Sequence, residues 1–199
     1  MAYNKFSLEK AVEDLHLELA DWHNVTDGVK PMQPSQWLQD TLSKMRELGL
    51  LIGTEKSRSE MIVAPILVEL REQLGETISV FSGKPFNVDA ARGLVGTCDF
   101  LISRGQNQRI IEAPVVAVTE AKKHDLELGI GQCAAEMFAA KIFNERKKRN
   151  IPIVYGVVTT GELWQFMKLE GNTLHIQIDS THIDDIDEIL GLLFKIVSE

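Results

Sequence analysis

The run Pro114-Val115-Val116-Ala117-Val118-Thr119 ends abruptly in Glu120-Ala121-Lys122-Lys123, and this stretch restricts the fold more than any other. It reads as a buried strand stopped by charge. Side chains alternate along a strand, so positions 120 and 122 share a face with Val116 and Val118, and Ala121 takes the opposite one. Withdrawing a carboxylate and an ammonium from water costs several kcal/mol per ion unless a partner compensates. The fold must therefore bring further charge to this strand end.

Gly96-Thr97-Cys98-Asp99-Phe100-Leu101-Ile102-Ser103 supplies a candidate neighbour, a second mostly apolar strand interrupted by Asp99. The polar stretch from Arg104 to Glu112 links the two. Adjacent strands would set Asp99 beside Glu120. Two carboxylates so placed repel, which raises at least one pKa unless a cation lies between them. A hard divalent ion such as Mg²⁺, or Mn²⁺ in its place, held by carboxylates, a main-chain carbonyl and water, meets that need.

With 199 residues, 44% of them hydrophobic, the chain can bury a substantial core in one domain with an appendage. A net charge of -8 argues against a nonspecific nucleic-acid coat or a membrane-surface protein. The charge is uneven, however. Residues 104–149 hold nine Lys and Arg against six Asp and Glu, so the region of the candidate site is the basic one. Cys98 and Cys133 form no C-x-x-C pair and have no zinc spacing, which points to buried thiols in a reducing compartment. No signal-peptide pattern or apolar run of about 18 residues occurs, so a cytoplasmic protein with no membrane partner is expected.

Leu8, Val12, Leu15 and Leu19 predict an amphipathic helix over 7–20. A second helix starts at Ser35 as N-cap and ends near Gly49. Ser57-Arg58-Ser59-Glu60 has the capping-box pattern and opens a third helix to about Gln73, which Pro65 should kink. Strands follow at 77–81, 96–103 and 114–121. A helix at about 131–147, a strand at 151–158, a hairpin of 162–169 with 173–178, and a helix at 184–197 complete the chain. The order predicts an α/β core, a central mixed β-sheet flanked by helices. The helical extension spans 1–55 and the core 56–199.

Asp99 on one strand and Glu120-Ala121-Lys122 on the next resemble the signature of the PD-(D/E)XK nuclease superfamily, whose restriction-endonuclease-like core runs α-β-β-β-α-β. The likeness covers about residues 57–168. It extends to an acid on the first core helix, matched by Glu60, and to a Gln on the helix after the motif, matched by Gln132. Cys98 stands where the family name has Pro. The resemblance implies a Mg²⁺- or Mn²⁺-dependent nuclease that hydrolyses DNA phosphodiesters and leaves a 5′-phosphate. Asp99, Glu120 and the Ala121 carbonyl would hold the ion. Lys122 would orient water and stabilise transition-state charge, Glu60 would hold water or a second ion, and Gln132 would position Lys122 or the phosphate. It also offers a homodimer as the way to cut both strands.

Each residue has a plainer reading. Asp99 could pair with Arg104 or Arg109, Lys122 could be solvated with Lys123, Glu60 could serve only as the capping-box acid, and Gln132 could cap its own helix. His124 could contact phosphate or lie idle on the surface. Trp164 and Phe166 are expected to pack rather than stack on bases. The alternative function is a catalytically inactive module that keeps the nuclease fold and binds nucleic acid or protein.

Overall fold

The computed structural model describes residues 2–122 and 125–198, with residues 117–121 described by their backbone. Helices α1 (Leu8–Leu15), α2 (Gln36–Ile52), α3 (Glu55–Arg58), α4 (Ala64–Gln73), α5 (Glu127–Arg146) and α6 (Ile186–Ser198) surround one sheet. Its strands are β1 (Glu18–Trp22), β2 (Ile78–Pro85), β3 (Thr97–Arg104), β4 (Val115–Ala121), β5 (Ile153–Thr159), β6 (Leu163–Glu170), β7 (Thr173–Gln177) and the short β8 (Thr181–His182). The spatial order is β1-β7-β6-β5-β4-β3-β2, with β8 beside β6. β1 runs parallel to β7 and β4 parallel to β5, while the other pairs are antiparallel. The fold is thus α/β, a mixed sheet flanked by helices. Among the described residues no helix is long and apolar enough to cross a membrane.

Two apolar clusters lie against the sheet. One joins α1 and α5 to Leu101, Val115, Val154 and Val158, and the other joins α4 and α6 to Phe100, Ile102, Val116 and Val157. Helix α5 is buried nearly all round, with Ala134, Ala135, Ala139 and Ala140 fully enclosed, as expected of a helix held between a sheet and a second helix. Glycine permits the close approach on both sides. A Cβ on Gly131 would overlap the Ser7 main chain, and one on Gly156 would lie 2.9 Å from Cys133 Sγ. Helix α2 starts at Ser35 as predicted, its hydroxyl accepting from Leu38 N–H. The same residue ties α2 to α4, because its N–H and hydroxyl donate to the buried Glu69 carboxylate at 2.8 and 2.7 Å.

Three local expectations change. The first helix ends at Leu15, His16 turns left-handed at φ 56°, and residues 18–22 form a strand in register with β7 from Glu18↔Thr173 to Trp22↔Gln177. The unpaired edge of β7 recruits a segment whose spacing favoured helix, and Leu19 stays half exposed instead of joining the core. The third helix starts three residues early: Thr54 is the N-cap, and its capping-box partner is Ser57, not Glu60. The disturbance due to Pro65 falls on the turn before it, where Ser59–Val63 widen into a π-helix. Proline has no N–H for the carbonyl four residues back and its ring crowds that carbonyl, which a wide turn relieves.

Candidate active site

The site forms where β4 ends between β3 and β5. The β3–β4 ladder has its last pair at Phe100↔Thr119, so Asp99 and Glu120 are the next residues on the two strands. On the other side Glu120 pairs with Val158 and Ala121 with Thr159. Lys122 N–H then donates to Thr159 O at 2.7 Å, which fixes the Lys122 main chain to β5 beyond the strand's end.

Asp99 lies at a break in β3. The β2–β3 pairing goes from Ser82↔Phe100 to Lys84↔Cys98 and skips the Gly83–Asp99 step, where Gly83 has φ +61°. A side chain at Gly83 would strain that backbone. Cys98 and Leu101, three residues apart, both join the α5-side cluster, so the regular alternation is lost around Asp99, which is half-buried. Arg104, one of its expected partners, turns instead to the Val197 carbonyl at 3.3 Å.

Lys122 and Gln132 meet. The half-buried Lys122 donates from Nζ to Gln132 Oε1 at 3.2 Å, and Gln132 Nε2 donates to Glu136 Oε1 at 3.1 Å. Helix α5 begins at Glu127, so Gln132 stands inside it and does not cap its start. Gly129 makes room for the lysine stem: a Cβ there would sit 3.0 Å from Lys122 Cγ and 2.5 Å from Val158 Cγ1. Glu136 is fully buried. It contributes, after burial itself and Cys98, to holding the Tyr3 hydroxyl pKa well above the usual phenol range. That hydroxyl donates to Phe86 O at 2.6 Å.

Glu60 is elsewhere engaged. It is exposed on the π-helical turn and pairs with Lys56 Nζ at 2.7 Å. Beside the site, the buried Arg58 donates from Nη1 to Thr160 O at 2.6 Å and approaches Glu162 at 3.6 Å, which straps the β5–β6 turn next to Thr159. Trp164 and Phe166 are fully buried and pack, as expected, and both cysteines are buried thiols not joined in a disulfide. Lys123 and His124 lie outside the described residues, as does the side chain of Glu120. Among the described residues no group of three His, Cys, Asp or Glu is placed to hold a metal.

Sequence reasoning missed Glu136, Gly129 and Arg58. The i, i+4 spacing of Gln132 and Glu136 on one helix face was the available signal for the first.

No family model matches the chain. It is similar to Crinkler effector protein 1 of Rhizophagus irregularis, 28% identical over 149 residues, covering 71% of this chain and 30% of that protein. The chain thus spans about 30% of the length of the curated relative it matches.

Proposed function

We propose that this chain is a divalent-metal-dependent phosphodiesterase acting on DNA, built on a restriction-endonuclease-like core. The observation that carries the reading is Lys122, its main chain tied to Thr159 and its ammonium held by Gln132, at the strand end where Asp99 and Glu120 follow the last β3–β4 pair. The topology supports it as well: α4, β2, β3, β4, α5 and β5 follow the α-β-β-β-α-β order, with antiparallel, antiparallel and parallel pairings in turn.

The donors would be the half-buried Asp99 carboxylate, that of Glu120, which follows the last β3–β4 pair on the neighbouring strand, and a main-chain carbonyl, an all-oxygen set that fits a hard cation and not a soft one. Asp99, Glu120 and the Ala121 carbonyl would hold Mg²⁺ or Mn²⁺, which when bound supplies a Lewis acid for the phosphoryl oxygen and lowers the pKa of water. Lys122 places a fixed ammonium where negative charge develops on the phosphoryl group, and a preorganised charge of this kind stabilises the transition state without reorganising. Gln132 keeps that ammonium from swinging into solvent. Glu60 would have to leave Lys56 before it could hold water or a second ion.

Calorimetric titration with Mg²⁺ and Mn²⁺, on wild type and Asp99→Ala, tests the ion site. Cleavage of plasmid and single-stranded DNA by wild type and Lys122→Ala tests the chemistry. Binding lost in the first variant and cleavage lost in the second is the expected result. No ion binding and no cleavage by wild type would overturn the proposal and leave a binding module on the same scaffold, a reading to which the net charge of -8 lends weight.

A further inference from the structure

We propose that Glu136 is a positioning residue for Lys122, acting through the side-chain amide of Gln132; the inference rests on the reading of Lys122 as the cation of the site. The two ends of that amide have nearly the same shape and opposite chemistry: the oxygen only accepts and the NH₂ only donates. Lys122 Nζ is a donor with nothing to accept with, so Gln132 serves it in one orientation alone, with Oε1 toward the ammonium. In the flipped orientation two donors would face each other.

What selects the orientation is the group at the other end of the amide. There Gln132 Nε2 meets Glu136 Oε1 at 3.1 Å. Glu136 Oε1 accepts there, so the NH₂ end of the amide is taken up and the oxygen is left for Lys122. The amide then lies between an accepting carboxyl oxygen and a donating ammonium, with each end toward its complement. Linked hydrogen bonds of this kind strengthen one another.

The relay is stiff because of where Glu136 sits. It is one helical turn beyond Gln132 on α5, so both move together. Helix α5 is fixed in turn by its enclosed alanines, by Gly131 against the Ser7 main chain and by Gly156 beneath Cys133 and Met137. Glu136 itself has no solvent exposure, so water does not compete freely for its carboxylate. A surface glutamate at this spacing would hold Gln132 loosely. A buried one fixes it, and through it the lysine.

Glu136→Leu removes the acceptor while keeping the bulk, and replacing a buried carboxylate by a hydrophobe is commonly tolerated by a fold. Glu136→Gln keeps an acceptor for Gln132. In DNA cleavage, Glu136→Leu is expected to lower kcat by about 10–100-fold with KM nearly unchanged, the size seen when outer-shell partners are removed. Glu136→Gln should recover most of that loss. In a Gln132→Met background Glu136→Leu should cost nothing further, since the relay is already cut. A second readout needs no turnover: the ¹⁵N side-chain amide of Gln132, assigned by its absence in Gln132→Met, should show a hydrogen-bonded, slowly exchanging proton in wild type and Glu136→Gln and lose it in Glu136→Leu. An unchanged Gln132 amide in Glu136→Leu, or a full additional loss of kcat in the Gln132→Met background, would overturn the proposal. If wild type cleaves no DNA, the nuclease reading fails, and the amide signal alone decides the relay: its loss in Glu136→Leu upholds it and its persistence ends it.

Discussion

Replacing Asn144 by Leu should destabilise the protein more than almost any other polar substitution. Asn144 is 1% exposed, and its Oδ1 accepts from Val115 N–H while its Nδ2 donates to Val115 O, both at 2.8 Å. The strand needs this clamp. Val115 lies opposite Ser103 of β3, but the β4–β5 ladder starts only at Ala117↔Tyr155, so the N–H and C=O of the first residue of β4 take their hydrogen bonds from the α5 side chain. Leucine fills the same space and makes neither bond. Two buried main-chain groups are then orphaned, each at about 1–3 kcal/mol, or roughly 2–6 kcal/mol together. Against a total stability of about 5–15 kcal/mol, the mid-range loss of ~4 kcal/mol corresponds to a Tm lower by about 8–16 °C in a chain of this size. Urea unfolding followed by circular dichroism measures the difference, with the m-value unchanged if the loss is local. Asn144→Asp should do no better, because its second oxygen faces the Val115 carbonyl without a proton to offer. A Leu variant within about 0.5 kcal/mol of wild type, the range of ordinary surface changes, would refute the clamp.

Arg58→Met should lose about 1–3 kcal/mol, because the Thr160 carbonyl gives up its buried charged donor; faster amide hydrogen exchange at residues 160–163 would locate the effect, and unchanged exchange there would exclude it. Gly129→Ala gains helix propensity of about 1 kcal/mol but forces a Cβ to 2.5 Å from Val158 Cγ1. The expected net result is a small stability loss with a large disturbance of Lys122, read as weakening of the Lys122–Gln132 bond in the side-chain amide spectrum. His175 has its pKa lowered by burial first and Lys168 second, with Glu170 opposing. The unfolded chain therefore takes up its proton more readily, so the stability is complete above the unfolded value of about 6.5 and falls as pH drops through the lower folded value. His175→Gln should flatten the stability profile just below pH ~6.5, and an unchanged slope would show that another group sets it.

The central strands were legible because their signal is strong and local. Val115 to Thr119 is apolar on both faces, as a strand covered by helices on both sides must be, and the β6–β7 hairpin shows alternation around Gly171-Asn172. The first strand was not legible, because Leu15 and Leu19 continue a helical spacing and only the open edge of β7 gives residues 18–22 a reason to extend. Ser57-x-x-Glu60 and Thr54-x-x-Ser57 both fit a helix start, and the sequence does not say which pair closes; the chain uses the earlier one, and Glu60 pairs with Lys56. At the candidate site, the meeting of Lys122 with Gln132 follows from a strand leading into a helix that packs back on it. The part played by Glu136 does not, since a glutamate in an Ala-rich helix looks the same whether it faces water or the sheet.

The two borders of the sheet have a consequence for how such molecules meet one another. At one border β1 is only five residues long, with Glu18 and Asp21 along it. At the other, β2 kinks at Gly83 and finishes in Lys84 and Pro85, the last without an N–H to offer a neighbour. Short length, charge, a twist and proline are the devices that stop strands from adding across molecules. Neither border is a template for continuation by a further copy, so crowding many molecules together should not extend the sheet into fibres, and self-association has to go through helical faces and loops.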